Sequence, residues 1–181
     1  TIDGASFSGK VDFPSGDAKV ALGDLDGDGK LDVVVAKGAS DEVWVHRNTS
    51  KAGMIDATSL VAGVAFTTEF GPRDVAVEDL DGDGKPDIAV TNNGAGQNTI
   101  SVFRNTSSAG LLNGTSFAGK VNFTVGTRPR IVMIRDLDSD GKSDMAATNL
   151  NNSVSVLRNI STSGTIDGSS FATKVDYGTG L

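Results

Sequence analysis

Residues 24–32, "DLDGDGKLD", place four carboxylates in nine positions, and near-copies follow as "DLDGDGKPD" at 79–87 and "DLDSDGKSD" at 136–144. Numbered from the first aspartate, the carboxylates fall at positions 1, 3, 5 and 9. They are Asp24, Asp26, Asp28 and Asp32; Asp79, Asp81, Asp83 and Asp87; and Asp136, Asp138, Asp140 and Asp144. Like charges a few ångströms apart repel by about 1 kcal/mol per pair even in a water-like dielectric. Such clusters therefore call for a cation at their centre or for open solvent. Position 6 is glycine each time, where a tight turn makes a Cβ a burden. Position 7 is Lys30, Lys85 or Lys142, whose backbone carbonyl can face in while the side chain points outward. Alternating hard oxygens around a tight turn suit Ca²⁺, which takes about 6–8 of them at 2.3–2.6 Å. Mg²⁺ prefers stricter octahedral geometry and keeps its waters. Zn²⁺ favours His and Cys, of which the chain holds one and none. These fifteen residues are the candidate metal ligands, for about three Ca²⁺ per chain.

The loop begins like an EF-hand but does not end like one. Position 12 is Val35, Val90 or Ala147 instead of a bidentate Glu, and β-type runs flank the loop instead of helices. The spacing predicts a calcium loop inside a β-hairpin, with position 9 supplying the late ligand. The plain alternative is a solvated acidic turn, since Asp-Gly favours turns; three matches at four carboxylates each argue against it. The loops hold 12 of the 23 acidic residues, and three Ca²⁺ would take the formal charge of −7 to about −1. Metal binding is thus expected to couple to folding.

Positioning these loops is the task of a repeat. The loops start at 24, 79 and 136, in steps of 55 and 57. "HRNTS" at 46, "FRNTS" at 103 and "LRNIS" at 157 keep nearly the same step, as do "SFSGKVDF" at 6, "SLVAGVAF" at 59, "SFAGKVNF" at 116 and "SFATKVDY" at 170. Each unit reads as four short strands: an apolar run before the loop, one just after it, an alternating run ("EVWVHR", "TISVFR", "SVSVLR"), and the "SFxGKVxF" segment. Gly, Asn, Asp and Ser separate them, as turns require. Four antiparallel strands repeated at this step predict an all-β chain of propeller blades. The units span about 14–66, 67–123 and 124–177, with 1–13 as the outer strand of a preceding blade and 1–181 as one repeat region. A duplicated β-sandwich fits worse, because three units do not divide between two sheets.

With these residues in view, "FxxGxxPxxVxxxDLDGDGKPDxxV" resembles the FG-GAP/VCBS repeat, similar to the calcium-bearing blades of integrin α-subunit propellers and of secreted bacterial proteins. It runs from Phe66 to Val90 and Phe123 to Ala147, and more loosely from Phe13 to Val35. The resemblance implies a β-propeller, usually seven-bladed, with Ca²⁺ between the first two strands of a blade. It assigns the aspartates at positions 1, 3, 5 and 9 and the position 7 carbonyl as ligands. Ser139 in place of glycine, and the missing proline of unit one, depart from the pattern without removing a ligand.

Propellers close with about four to eight blades, so three units imply a partial propeller, either a piece of a longer array or a ring completed by oligomerisation. Open faces are expected to expose Val43, Val45, Val102 and Val156. Net acidity argues against nucleic acid and anionic membrane as partners, and no apolar run approaches membrane-spanning length. Without cysteine there are no disulfides or thiolate sites. Acidic residues outside the loops are scattered, and His46 is the one histidine, in the slot of Phe103 and Leu157, so a packing role outweighs catalysis and no enzyme is expected. Arg47, Arg104 and Arg158 recur in register and read as structural. The Asn-x-Ser motifs read as turns. The variable segments "KGASDE", "NNGAGQNT" and "NLNNS", with Trp44, suit a glycan or protein ligand. The module is therefore read as non-catalytic, for adhesion or ligand binding, with a carbohydrate-binding accessory module or a purely structural array as alternatives. Calcium-dependent folding points to an extracellular location, in a piece of a longer chain.

Overall fold

In the computed structural model residues 10–12 and 18–180 are described, and among them there is no helix. Twelve strands form three four-stranded antiparallel sheets, each from one continuous stretch of chain. The first is β1 (Ala18–Gly23), β2 (Asp32–Lys37), β3 (Glu42–His46) and β4 (Val64–Thr67). The second is β5 (Pro72–Glu78), β6 (Asp87–Asn92), β7 (Thr99–Phe103) and β8 (Val121–Thr124). The third is β9 (Pro129–Arg135), β10 (Asp144–Asn149), β11 (Ser153–Leu157) and β12 (Val175–Gly178). β-branched residues populate the strands and pair across them, as in Val20↔Val35 and Val34↔Val45. The first strands β1, β5 and β9 lie against one another in succession. The sheets are therefore propeller blades fanned in a partial arc, not a closed ring.

Two apolar layers join the blades. Val34, Val43 and Val45 of blade 1 meet Val75, Ile88 and Val90 of blade 2. Ala89, Ile100 and Val102 of blade 2 meet Val132, Ile134 and Met145 of blade 3. Phe66 packs edge-on against Phe117 at 5.1 Å, and Phe123 against Phe171 at 4.9 Å, so each fourth strand grips the following blade. The phase of burial records which face is covered. In β3 the buried residues are Val43 and Val45; in β11 they are Ser153, Ser155 and Leu157, of the opposite parity; β6 is buried throughout.

This corrects the expected exposure. Val43, Val45 and Val102 are buried, because they line the junctions between blades, and only Val156 stays half-buried on an open face. The open faces instead show Val20 and Leu22 on blade 1, and Met133 and Tyr177 on blade 3. The fourth strand is also shorter than the "SFxGKVxF" segment. Its front half bends inward, so that Leu60, Phe117 and Phe171 sit opposite Asn48, Asn105 and Asn159 in isolated bridges. Phe117 and Phe171 enter the core there. The corresponding segment at 6–13, read as the outer strand of a preceding blade, lies almost wholly outside the described residues.

Candidate metal centres

Each acidic loop is the hairpin connection between the first and second strands of its blade, and position 9 is the first residue of the second strand. Carboxylates fold the loop by accepting backbone N–H groups. Asp24 takes those of Asp28 (3.1 Å) and Gly29 (2.9 Å), and Asp79 takes Gly82 (2.8 Å) and Gly84 (2.8 Å). Asp136 takes Ser139 (2.7 Å) and Gly141 (2.9 Å). Position 6 has φ of 86° in all three loops, a left-handed conformation that glycine adopts without steric cost. Position 4 is left-handed too: Gly27 and Gly82 at 69°, and Ser139 at 65°.

Position 9 anchors the loop to the blade. Asp32, Asp87 and Asp144 are buried, and each spends one oxygen on the loop and the other on the end of the third strand. Asp87 accepts from the N–H of Leu80 at 2.9 Å and of Asn105 at 2.7 Å. Asp32 and Asp144 repeat the pattern with Leu25 and Asn48, and with Leu137 and Asn159. The structure gathers positions 1, 3 and 9 into a triad in every blade: Asp24, Asp26 and Asp32; Asp79, Asp81 and Asp87; Asp136, Asp138 and Asp144. Within each triad one oxygen from every residue lies within 4.8 Å of the others. Oxygens each about 2.4 Å from a shared ion can lie no further apart than about 4.8 Å, so the spacing fits Ca²⁺. The donor set is all hard oxygen, as that ion requires.

Positions 5 and 7 stand outside the triads. Asp28, Asp83 and Asp140 accept the N–H of Lys30, Lys85 and Lys142 at 2.9–3.0 Å. The lysine side chains differ from the expected outward course: Lys85 and Lys142 donate to the carbonyls of Ser107 (2.8 Å) and Ser161 (2.7 Å) in their own blades. Lys30 lies 3.4 Å from Asp28.

Electrostatics show how poorly this arrangement tolerates uncompensated charge. Burial, reinforced by Asp81 and Asp83, pushes the Asp87 carboxyl up to about 7 against two hydrogen bonds that oppose the rise. Burial likewise raises Asp32, with Asp26 and Asp28 adding to it. Asp28 goes the other way: burial works to raise it, but the Lys30 N–H, the Lys30 charge and Arg47 outweigh burial.

Two recurrent positions, an arginine and the asparagine that follows it, do work that their spacing alone did not disclose. Arg47 pairs with Asp26 and, at 2.9 Å, with Asp28. Arg104 pairs with Asp81 at 2.6 Å and Asp83 at 2.9 Å, and among the described residues Arg158 pairs only with Asp138, at 3.6 Å. The asparagines close Asx turns, each accepting the N–H of Ser50, Ser107 or Ser161 at 2.9 Å. Asn105 and Asn159 also reach across to the previous blade, donating to Leu25 O at 2.9 Å and Leu80 O at 2.7 Å. Their recurrence in every unit was the available signal.

Residues read as ligand-binding are largely occupied. Trp44 donates to Glu42 at 2.7 Å, and the Lys37 ammonium sits 4.0 Å over its ring. His46 lies 3.2 Å from the Val61 carbonyl and is half-buried. In the variable segments Asn93 donates to Arg128 O and Pro129 O, while Asn92 and Asn149 turn inward to Ser101 and Ser155.

Against known proteins, the model of the FG-GAP-like repeat matches residues 24–90 and 79–147, each match running from one acidic loop into the second strand of the next blade. No curated protein matches the sequence. Three propeller blades with an aspartate hairpin in each, and a family match over more than half the chain, make this protein a member of the FG-GAP-like repeat family.

Proposed function

We propose that the chain is a calcium-binding β-propeller module of a secreted or cell-surface protein, in which one Ca²⁺ per blade locks the hairpin to the third strand. The supporting observation is the triad at positions 1, 3 and 9, repeated three times with its oxygens within 4.8 Å of one another. Asp24, Asp79 and Asp136 would hold the ion with their partners at positions 3 and 9; positions 5 and 7 supply further oxygens. The ion neutralises carboxylates that burial otherwise drives towards protonation. Extracellular calcium levels would fill such loops even at modest affinity, which supports a location outside the cytoplasm.

The module is non-catalytic and serves adhesion or ligand binding. Asp56 and Asp167 are tied into turns with Thr58 and Ser169, Glu42 and Glu78 are spent on Trp44 and Arg135, and His46 lies against the Val61 carbonyl. Asn92, Asn93 and Asn149, three of the amides suited to sugar hydroxyls, are spent inside the fold, which favours protein contact over carbohydrate. Calcium titration into chelator-stripped protein, followed by thermal melting, tests the reading. A higher melting temperature with calcium and a drop with EGTA are expected; equal melts at verified metal loss overturn it.

A further inference from the structure

Both internal junctions use one staple. From blade 2, Asn105 Nδ2, Ser107 Oγ (2.7 Å) and the Gly110 N–H (2.8 Å) donate to blade 1, the first two to Leu25 O and the third to Asp26 O. From blade 3, Asn159, Ser161 and Gly164 repeat this on Leu80 O and Asp81 O, Gly164 at 3.1 Å. Leu25 and Leu80 are each 1 % exposed beneath it.

The two ends of the arc carry the unmatched halves of the same staple. On blade 3 the equivalent leucine, Leu137, is 56 % exposed, and no donor reaches its carbonyl among the described residues. Met133, on the strand that leads into this loop, and Tyr177, on the outer strand, are exposed on the same blade. On blade 1 the equivalent donors are Asn48, Ser50 and Gly53. Among the described residues Asn48 Nδ2 has one acceptor, Leu31 O of its own blade. Asn105 and Asn159 have that bond and the cross-blade bond. A largely apolar cavity of about 440 Å³, lined by Val20, Leu22, Val33, Asn48 and Ser50 among others, opens on this face. In blades 2 and 3 the residues matching Val20 are Val75 and Val132, both buried by the preceding blade.

We propose that the third blade of one copy of this chain docks on the first blade of a second copy, with Asn48 and Ser50 on Leu137 O and Gly53 on Asp138 O. The contact is heterologous, so a pair joined by it retains one free face of each kind unless the ring closes. Two copies supply six blades, within the range at which propellers close. Met133 and Trp44 give this junction larger side chains than Ala76 and Ser101 give the internal ones.

The junction also completes the third metal centre. Loops 1 and 2 are each covered by the next blade, and their position 3 aspartates are buried; Asp136 and Asp138 are exposed. Arg158 is correspondingly loose, 58 % exposed against 26 % for Arg104. This second strand of the proposal rests on the calcium reading of the loops, whereas the docking itself does not.

The test uses the whole chain and two surface variants, Met133→Glu, blocking the blade 3 face, and Leu22→Glu, blocking the blade 1 face. By sedimentation velocity in calcium the parent chain is expected as a dimer of about twice its 18.5 kDa mass. Each variant alone should be monomeric with parental circular dichroism. Their mixture should form a 1:1 heterodimer, since each contributes its intact face. Should either variant misfold, Asn48→Ala with Ser50→Ala replaces it, with dimer dissociation as the readout. A monomeric parent at ~100 μM overturns the proposal. So does self-association of Met133→Glu alone, which means like faces pair, or a mixture that stays monomeric. Calcium titration should show the third site weakened in Met133→Glu, with two sites kept. A dimer that forms by this rule without binding any calcium supports the docking and sinks the calcium reading instead.

Discussion

Replacing Asp87 with asparagine separates a metal ligand from a structural acceptor. The side chain is fully buried, and its two oxygens accept N–H bonds from Leu80 and Asn105. An asparagine keeps one acceptor and turns a donor towards the other N–H, a loss of about 1.5–3 kcal/mol for a hydrogen bond to a charged group. In metal-free protein near neutrality the lost charge costs little, because burial has already pushed this carboxyl up to about 7. With calcium at about a hundred times its dissociation constant, an occupied site adds about 2.7 kcal/mol, and the variant forfeits it. Urea unfolding in calcium and in EGTA should therefore show a mutational loss larger by about 2–3 kcal/mol in calcium, or about 5–10 °C in melting temperature for a chain of this size. Equal losses in the two conditions would refute the reasoning, leaving Asp87 as an acceptor of hydrogen bonds and nothing more.

Other outcomes follow from the same geometry. The raised Asp87 pKa means that the folded metal-free chain holds a proton that the unfolded chain, titrating near 3.8, has lost. Its contribution to metal-free stability is therefore greatest at low pH and falls as pH rises from about 4 to about 7, whereas calcium affinity rises over the same window; chelated and calcium-loaded melts across pH check both signs. Ser139→Gly should stabilise by about 1 kcal/mol in urea unfolding, because Ser139 sits at φ 65° where its two counterparts are glycine. Asn159→Ala should cost about 1 kcal/mol more than Asn48→Ala measured on monomeric protein, since both lose the Asx-turn bond and a bond to a carbonyl of their own blade, and Asn159 alone also loses the cross-blade bond to Leu80 O.

Strand positions and loop positions were legible in the sequence because both depend on local order. Alternation in "SVSVLR" and the fixed spacing of aspartate and glycine in the loops need no partner to be read. What escaped depends on contacts across blades. Whether Val43 or Val20 is exposed is decided by which face another blade covers, and both belong to equally apolar strands. The shortening of the fourth strand was hidden because "SLVAGVAF" is uniformly β-prone, although Leu60 bends to meet Asn48. Asn105 reads as a turn former, and it is one; its second role requires Leu25, 80 residues earlier in the chain. The pairing of Arg104 with Asp81 and Asp83 escaped likewise, since recurrence marked the arginine as structural without naming its partner.

The central claim, a calcium ion in every aspartate hairpin, is tested most directly by anomalous diffraction from crystals of the chain grown in calcium. The account predicts one peak within about 2.3–2.6 Å of the carboxylate oxygens in each of the three triads, the third weakest where blade 3 is left uncovered. Three loops folded as described and without anomalous signal at any centre would contradict it.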